Sequence, residues 1–218
     1  EVPENELEIE DGIISGRPGL GHNVNISLGD LSLRLSPLMN SKVPDGYEPE
    51  LEATSFTSST GVPHASGTSI AEVEVDIETG NIKLLNYVVS HDCGTMINPM
   101  LVDGQIIGGV VHGISNALFE RMIYDDNSQP LSTNYGEFLL PLATEMPPIH
   151  VLHQETPSPH NELGVKGAGE GGTIPAANAV IAAAENALKP FGVVINDHPV
   201  DPQRICQLLD KAETNNKR

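Results

Sequence analysis

One run in the sequence sets a carboxylate among glycines: Gly167-Ala168-Gly169-Glu170-Gly171-Gly172. Glycine has no Cβ, so it lets backbone and ligand approach closely. A helical pattern follows, which places Glu170 near the positive end of a helix dipole and favours its ionised form. A carboxylate in a tight, partly dry loop can take a proton from a reacting group. On spacing alone, a general base and an incidental Glu in a flexible turn both stay open. Gly167, Gly169 and Gly172 also satisfy G-x-G-x-x-G, the dinucleotide pattern. That pattern follows a hydrophobic strand, and Leu163-Gly164-Val165-Lys166 is too short and broken to be one. Glu170 would also repel a pyrophosphate there, so the nucleotide reading is rejected.

The elements that must carry this run can be read from periodicity. Leu7–Glu10 and Ile13–Ser15 read as strands joined by a two-residue turn at Asp11-Gly12. A hairpin at the chain start is marginal alone and is expected to pack on a preceding segment or a partner. A strand near Val24–Ser27 and a short helix near Leu28–Leu35 follow. Residues 36–63 are rich in Pro, Ser, Thr and Gly and read as irregular. Alternation from Ser66 to Ile77, a turn at Glu78–Asn81 and a return from Ile82 to Ser90 make a second hairpin. Residues 103–120 carry Ile106, Ile107, Val110, Val111, Ile114, Ala117 and Leu118 at helical spacing, with Asp103 near the start.

Four glycines (Gly104, Gly108, Gly109, Gly113) interrupt that helix. Each costs roughly 1 kcal/mol relative to Ala. Something must lie close to its backbone, either a neighbouring element or a ligand. Residues 122–165 read as mixed strands and loops. A further helix, with Thr173 as cap and Pro175 in its first turn, should run to about Leu188. A last strand and a short C-terminal helix should close the chain.

Composition narrows the class. The chain has 218 residues, 39% of them apolar, with no Trp, so the core must rely on Val, Ile, Leu and Ala. Its net charge of −19 is spread along the chain. It would repel phosphate backbones and anionic lipid, so neither nucleic acid nor membrane is an expected partner. The two cysteines, Cys93 and Cys206, form no C-x-x-C pair. No iron–sulfur or structural zinc site of the usual spacing is expected, and Cys93 reads as a buried thiol. His91, His150, His153 and His160 lack metal-site spacing, so no protein metal ligand is expected. No apolar run approaches the ~18 residues of a membrane span. With no signal-like opening, a cytoplasmic location is the expectation.

Several segments together resemble the xanthine dehydrogenase and aldehyde oxidase family, the molybdenum hydroxylases. G-V-K-G-A-G-E-G-G-T-I-P-A-A-N-A-V is similar to its C-terminal glutamate motif. Upstream, A-E-V-E-V-D-I-E-T-G, H-D-C-G-T-M-I-N-P, V-D-G-Q-I-I-G-G-V-V-H-G-I-S-N-A-L-F-E and Y-G-E-F-L-L-P resemble family segments in the right order. The likeness covers residues 60–205 well and the first 60 loosely.

The resemblance implies an α+β (mixed α/β) fold with helices on mixed sheets, the second molybdopterin-binding domain of the family. It implies residues 1–60 as the remainder of a larger domain, 61–205 as the cofactor-binding domain and 206–218 as a polar tail. The activity implied is hydroxylation of an aldehyde or N-heteroaromatic substrate with oxygen from water. By position Glu170 would be the general base. Gly109, His112, Gly113, Gly167, Ala168 and Gly169 would lie against the cofactor. Where this chain has His112, the family commonly has glutamine. Lys166 would balance charge near the motif or simply be exposed.

The implied cofactor is molybdenum-molybdopterin, in the cytosine dinucleotide form, with no protein side chain on the metal. Iron–sulfur clusters and FAD would sit on other domains or subunits. Implied partners are the rest of the molybdopterin subunit, a [2Fe-2S] subunit or domain, an FAD subunit or domain and a small-molecule substrate. This chain alone would not turn over. A non-catalytic cofactor-carrier or assembly module that keeps the motif is the alternative.

Overall fold

A computed structural model describes residues 2–36, 43, 51–52, 54–58 and 60–216. The chain divides into two compact units, Glu1–Ser58 and Ser59–Arg218.

In the first unit β1 (Leu7–Glu10), β2 (Ile13–Gly16) and β3 (Asn25–Ser27) form an antiparallel sheet in that order. Asp11 and Gly12 both have positive φ, 50° and 76°, as a two-residue turn matching strand twist requires. Helix α1 (Leu28–Leu35) follows directly, and the Ser27 hydroxyl caps it by accepting from the Asp30 N–H at 2.9 Å. The expected hairpin, strand and helix are all present here. The expected irregular stretch of residues 36–63 falls partly outside the described residues.

The second unit holds the glutamate motif. Strands β4 (Ser66–Val75) and β5 (Ile82–Asp92) pair antiparallel, and β6 (Ile149–Gln154) adds parallel to β5. The sheet is mixed, as expected. Helices α2 (Pro99–Leu118) and α3 (Thr173–Leu188) pack over it. A bulge at Leu85 shifts the register between β4 and β5. It switches the inward face from Leu84 to Tyr87, Val89 and His91. Ile106, Val110 and Ile114 of α2 are fully buried against this face. Burying such side chains contributes roughly 1.5–3 kcal/mol each. That outweighs the roughly 1 kcal/mol that each interior glycine costs. The helix therefore stands despite its composition.

Five expectations need correction. Helix α2 begins at Pro99, a turn earlier than residue 103, because Asn98 Oδ1 accepts from the Leu101 N–H at 3.2 Å and proline suits the first position. Asp103 then sits in the second turn and pairs with His153 instead of serving the helix end. Thr173 does not cap α3. Gly172 holds that position with no side-chain cap, and the Glu170 carbonyl accepts from the N–H groups of Thr173 and Ile174.

No strand forms near Val193–Asn196. The Ile195 N–H donates to Glu185 of α3 at 2.7 Å, so it has no need of a strand neighbour. Residues from 206 are no polar tail as far as Asn216, because α4 (Pro202–Asn216) runs through them. Ile205, Leu208, Leu209 and Ala212 recur at helical spacing and join a second core with Ala184, Leu188, Val193 and Val200. Between α2 and α3, residues 122–165 supply one six-residue strand, β6, a single 3-10 turn at Ala143–Glu145 and otherwise loops.

Candidate functional site

The Glu170 loop follows β6 and leads into α3, passing the end of β5 at the Gly94–Val165 bridge. Glu170 lines a cleft of about 500 Å³ together with Gly67, His91, Gly167, Gly169, Gly171 and Ile174. Gly167 and Gly169 face open space where a side chain would project. Glu170 is exposed in this chain, so the loop is wetter than the sequence suggests. Ala168 is half-buried behind it. The Gln105 side-chain amide of α2 donates to the Gly169 carbonyl at 2.8 Å and ties the loop to the helix.

Beneath the loop lies a polar floor. Asp92 is buried, and its Oδ1 accepts from the N–H groups of Gly94 at 2.8 Å and Thr156 at 3.1 Å. Its Oδ2 meets Lys166 Nζ at 3.1 Å, a largely buried ion pair. Burial raises the Asp92 carboxyl, but the hydrogen bonds from Gly94, Thr156 and Lys166 together outweigh it and hold it far below the usual carboxylate range. Lys166 therefore balances the charge of Asp92 and is not simply exposed. It binds the loop carrying Glu170 to the end of β5, as do the Lys166 N–H bond to the Cys93 carbonyl and the bridge between Gly94 and Val165. Cys93 is a buried free thiol, as read, and burial pushes it up.

His91 closes the floor. It is 2% exposed, and Gly171 packs onto its ring so tightly that a side chain there would collide with the imidazole. Its parallel register partner is His153, whose Nε2 lies 2.6 Å from Asp103 Oδ1. Burial lowers the His91 pKa and His153 lowers it further, against the opposing pull of Asp92. The imidazole is accordingly neutral near pH 7.

The other expected contacts are distributed differently. Gly109 and Gly113 do not open the α2 backbone to a ligand, because α3 occupies that side. A methyl at Gly109 would lie 2.9 Å from the Thr173 nitrogen, and one at Gly113 would lie 2.5 Å from Ala176 Cβ. These glycines let two helices meet. Gly104 and Gly108 instead have nothing within 4 Å of a Cβ position. His112 is exposed on α2 and does not line the Glu170 cleft.

The sequence reading passed over His91, Asp92, Asp103, Gln105 and His153 as site residues. Only His91 and Asp92 had a usable signal, as polar residues ending an apolar strand. Among the described residues, no group of three His, Cys, Asp or Glu is placed to hold a metal ion. Nor is any helix of the described residues long and apolar enough to cross a membrane.

Comparison with known proteins gives this arrangement a context. Residues 1–147 match the family model of a molybdopterin cofactor-binding domain. The chain is 37% identical over 207 residues to the nicotine 6-hydroxylase large subunit of Paenarthrobacter nicotinovorans, covering 95% of this chain and 25% of that protein. It is 33% identical over 166 residues to the carbon monoxide dehydrogenase large chain of Hydrogenophaga pseudoflava, covering 76% and 21%. Its fold superposes on quinoline 2-oxidoreductase from Pseudomonas putida 86 with a TM-score of 0.78 and 34% identity, over 96% of this chain and 26% of that one. The chain thus spans about a quarter of the length of these relatives.

Proposed function

The chain belongs to the molybdopterin cofactor-binding domain family of the molybdenum hydroxylases, and from that premise we propose that it is the C-terminal portion of a molybdopterin-binding subunit, with Glu170 as the general base. The observation that carries this reading is the placement of an exposed carboxylate in a glycine-lined cleft whose floor is fixed by buried polar groups.

The cleft fits a flat polar cofactor. The open faces of Gly167 and Gly169 leave room beside the backbone, and the buried His91 Nε2 has no hydrogen-bond partner among the described residues. When bound, molybdopterin supplies the redox centre and the activated oxygen from water. The backbone of Gly167, Ala168 and Gly169 would hold it, and the Gln105 bond would keep that backbone from shifting. Glu170, exposed on the cleft, would be placed to accept a proton from the reacting group. Its own carbonyl anchors the first turn of α3, which restricts where the carboxylate can swing. The remainder of the subunit would cover Glu170 and dry the site, strengthening its electrostatics. His112, on the exposed side of α2, would be a separate cofactor contact. Gly109 and Gly113 would act only by letting α3 approach α2.

The substrate class proposed is an N-heteroaromatic. The names of nicotine 6-hydroxylase and quinoline 2-oxidoreductase support it. An aldehyde is the second choice. The proposed partners are the rest of the molybdopterin subunit, a [2Fe-2S] unit and an FAD unit, supported by relatives named as a large subunit, a large chain and a subunit of a complex. The cytosine dinucleotide form of the cofactor is proposed with them, and release of CMP on mild acid hydrolysis would check it.

The deciding experiment is Glu170→Gln in the complete enzyme. Loss of a general base should lower kcat by about 10²–10⁴-fold, with molybdenum content unchanged. Unaltered turnover would overturn the base assignment and favour a carrier or assembly role.

A further inference from the structure

The polar floor of the Glu170 cleft is asymmetric. Asp92 is hydrogen-bonded through both oxygens, and His153 Nε2 meets Asp103. His91 pairs in register with His153, and the His91 Nε2 and the His153 Nδ1 are both buried and unpartnered among the described residues. A buried ring nitrogen without a partner costs about 1–3 kcal/mol. The fold nevertheless builds toward it. The bulge at Leu85 turns His91 inward. Gly171 and Gly67 flank the ring: a Cβ at Gly171 would collide with Cε1 and lie 2.8 Å from Nδ1 and 3.1 Å from Nε2, and one at Gly67 would lie 3.6 Å from Nδ1. Both glycines line the cleft with His91 and Glu170. Because the imidazole is neutral, one nitrogen donates and the other accepts.

We propose that His91 is a cofactor-binding residue of this cleft, whose Nε2 hydrogen-bonds a polar atom of the molybdopterin lying against Gly167–Gly171. The inference rests on reading the cleft as the cofactor site. It explains why a polar side chain ends an otherwise apolar inward row of Tyr87 and Val89, and why only glycine stands at 171.

The test uses three variants of the complete enzyme. His91→Leu keeps bulk and removes both nitrogens. His91→Asn places its amide near the Nδ1 position, and His91→Gln places one near Nε2. Molybdenum and released pterin are quantified per protomer during extended dialysis, alongside thermal unfolding. Loss of one hydrogen bond should speed cofactor loss on the order of ten-fold in the Leu and Asn variants, with Gln close to wild type. Wild-type retention in Leu and Asn would overturn the proposal. If His91→Leu does not fold, the Asn–Gln pair decides, and equal loss rates would overturn it. Wild-type enzyme that carries no molybdopterin at all would sink the cofactor-site reading itself, a result separable from either variant pattern.

Discussion

At the end of β5, Asp92 uses both carboxylate oxygens, Lys166 is sealed against it, and His91 lies under Gly171. On the rim of the cleft that His91 lines, Glu170 is exposed and its side chain has no hydrogen bond or ion pair among the described residues. The floor is a buried, bonded scaffold. The rim is an open loop held mainly by backbone and by Gln105. The contrast teaches how a reactive carboxylate can be kept available. Its neighbours absorb the structural work, so the carboxylate itself is committed to no partner among the described residues.

Removing the floor should therefore cost far more stability than removing the rim. Asp92→Ala leaves the Lys166 charge and two backbone N–H groups without their acceptor. It should destabilise the complete subunit by about 3–5 kcal/mol, read from the midpoint of urea unfolding. A loss below about 1 kcal/mol would erase the distinction between floor and rim. Gly113→Val comes next, because its side chain meets Ala176 and the Thr173 carbonyl at the helix contact under the rim. Overpacking of this kind costs about 1–3 kcal/mol, and the same unfolding curve should show it.

Acid sharpens the comparison further. Asp92 is depressed in the folded chain, so its stabilisation is complete above the unfolded carboxyl value near ~3.9. That contribution is lost as pH falls from there toward the folded value. His91 is also depressed, so below about 6.5 the unfolded chain binds a proton that the folded chain refuses. Stability should therefore fall first below about pH 6.5 and again below about pH 4. In thermal melts across pH, His91→Gln should flatten the first descent and Asp92→Asn the second.

The smallest effects belong to the open surfaces. Gly108→Ala has nothing within 4 Å of its new methyl and should stabilise by about 0.5–1 kcal/mol. Glu170→Ala should change unfolding by no more than about 0.5 kcal/mol, although Glu170→Gln is expected to abolish most turnover. A large stability loss at Glu170 would mean that the rim is structural after all.

Much of this was legible from local pattern. The two hairpins, α1 and the extent of α3 follow from alternation, turn residues and breakers, because these act over a few residues. The start of α2 was misplaced because Asn98 and Pro99 precede the apolar stripe, and capping outranked the first periodic residue. The strand expected near Val193 failed because a distant carboxylate, Glu185, satisfied its backbone. The glycines of α2 showed that something came close, but not what. Gly109 and Gly113 meet α3, whereas Gly104 and Gly108 meet open space. Helical periodicity places residues on faces without saying what each face meets.

The sequence by itself determined the glutamate among glycines, the resemblance in ordered segments, the strand and helix periods, and the acidity that argues against nucleic acid. Those properties are carried by neighbouring residues or by summed charge. Only the tertiary structure decided that Asp92 grips Lys166 across 74 residues and that His91 lies beneath Gly171. Both depend on a one-residue bulge and on a parallel strand arriving from far along the chain. Side-chain direction in a strand reverses with every residue. A single bulge therefore settles which groups face the cleft, and pairing across the sheet settles what they meet.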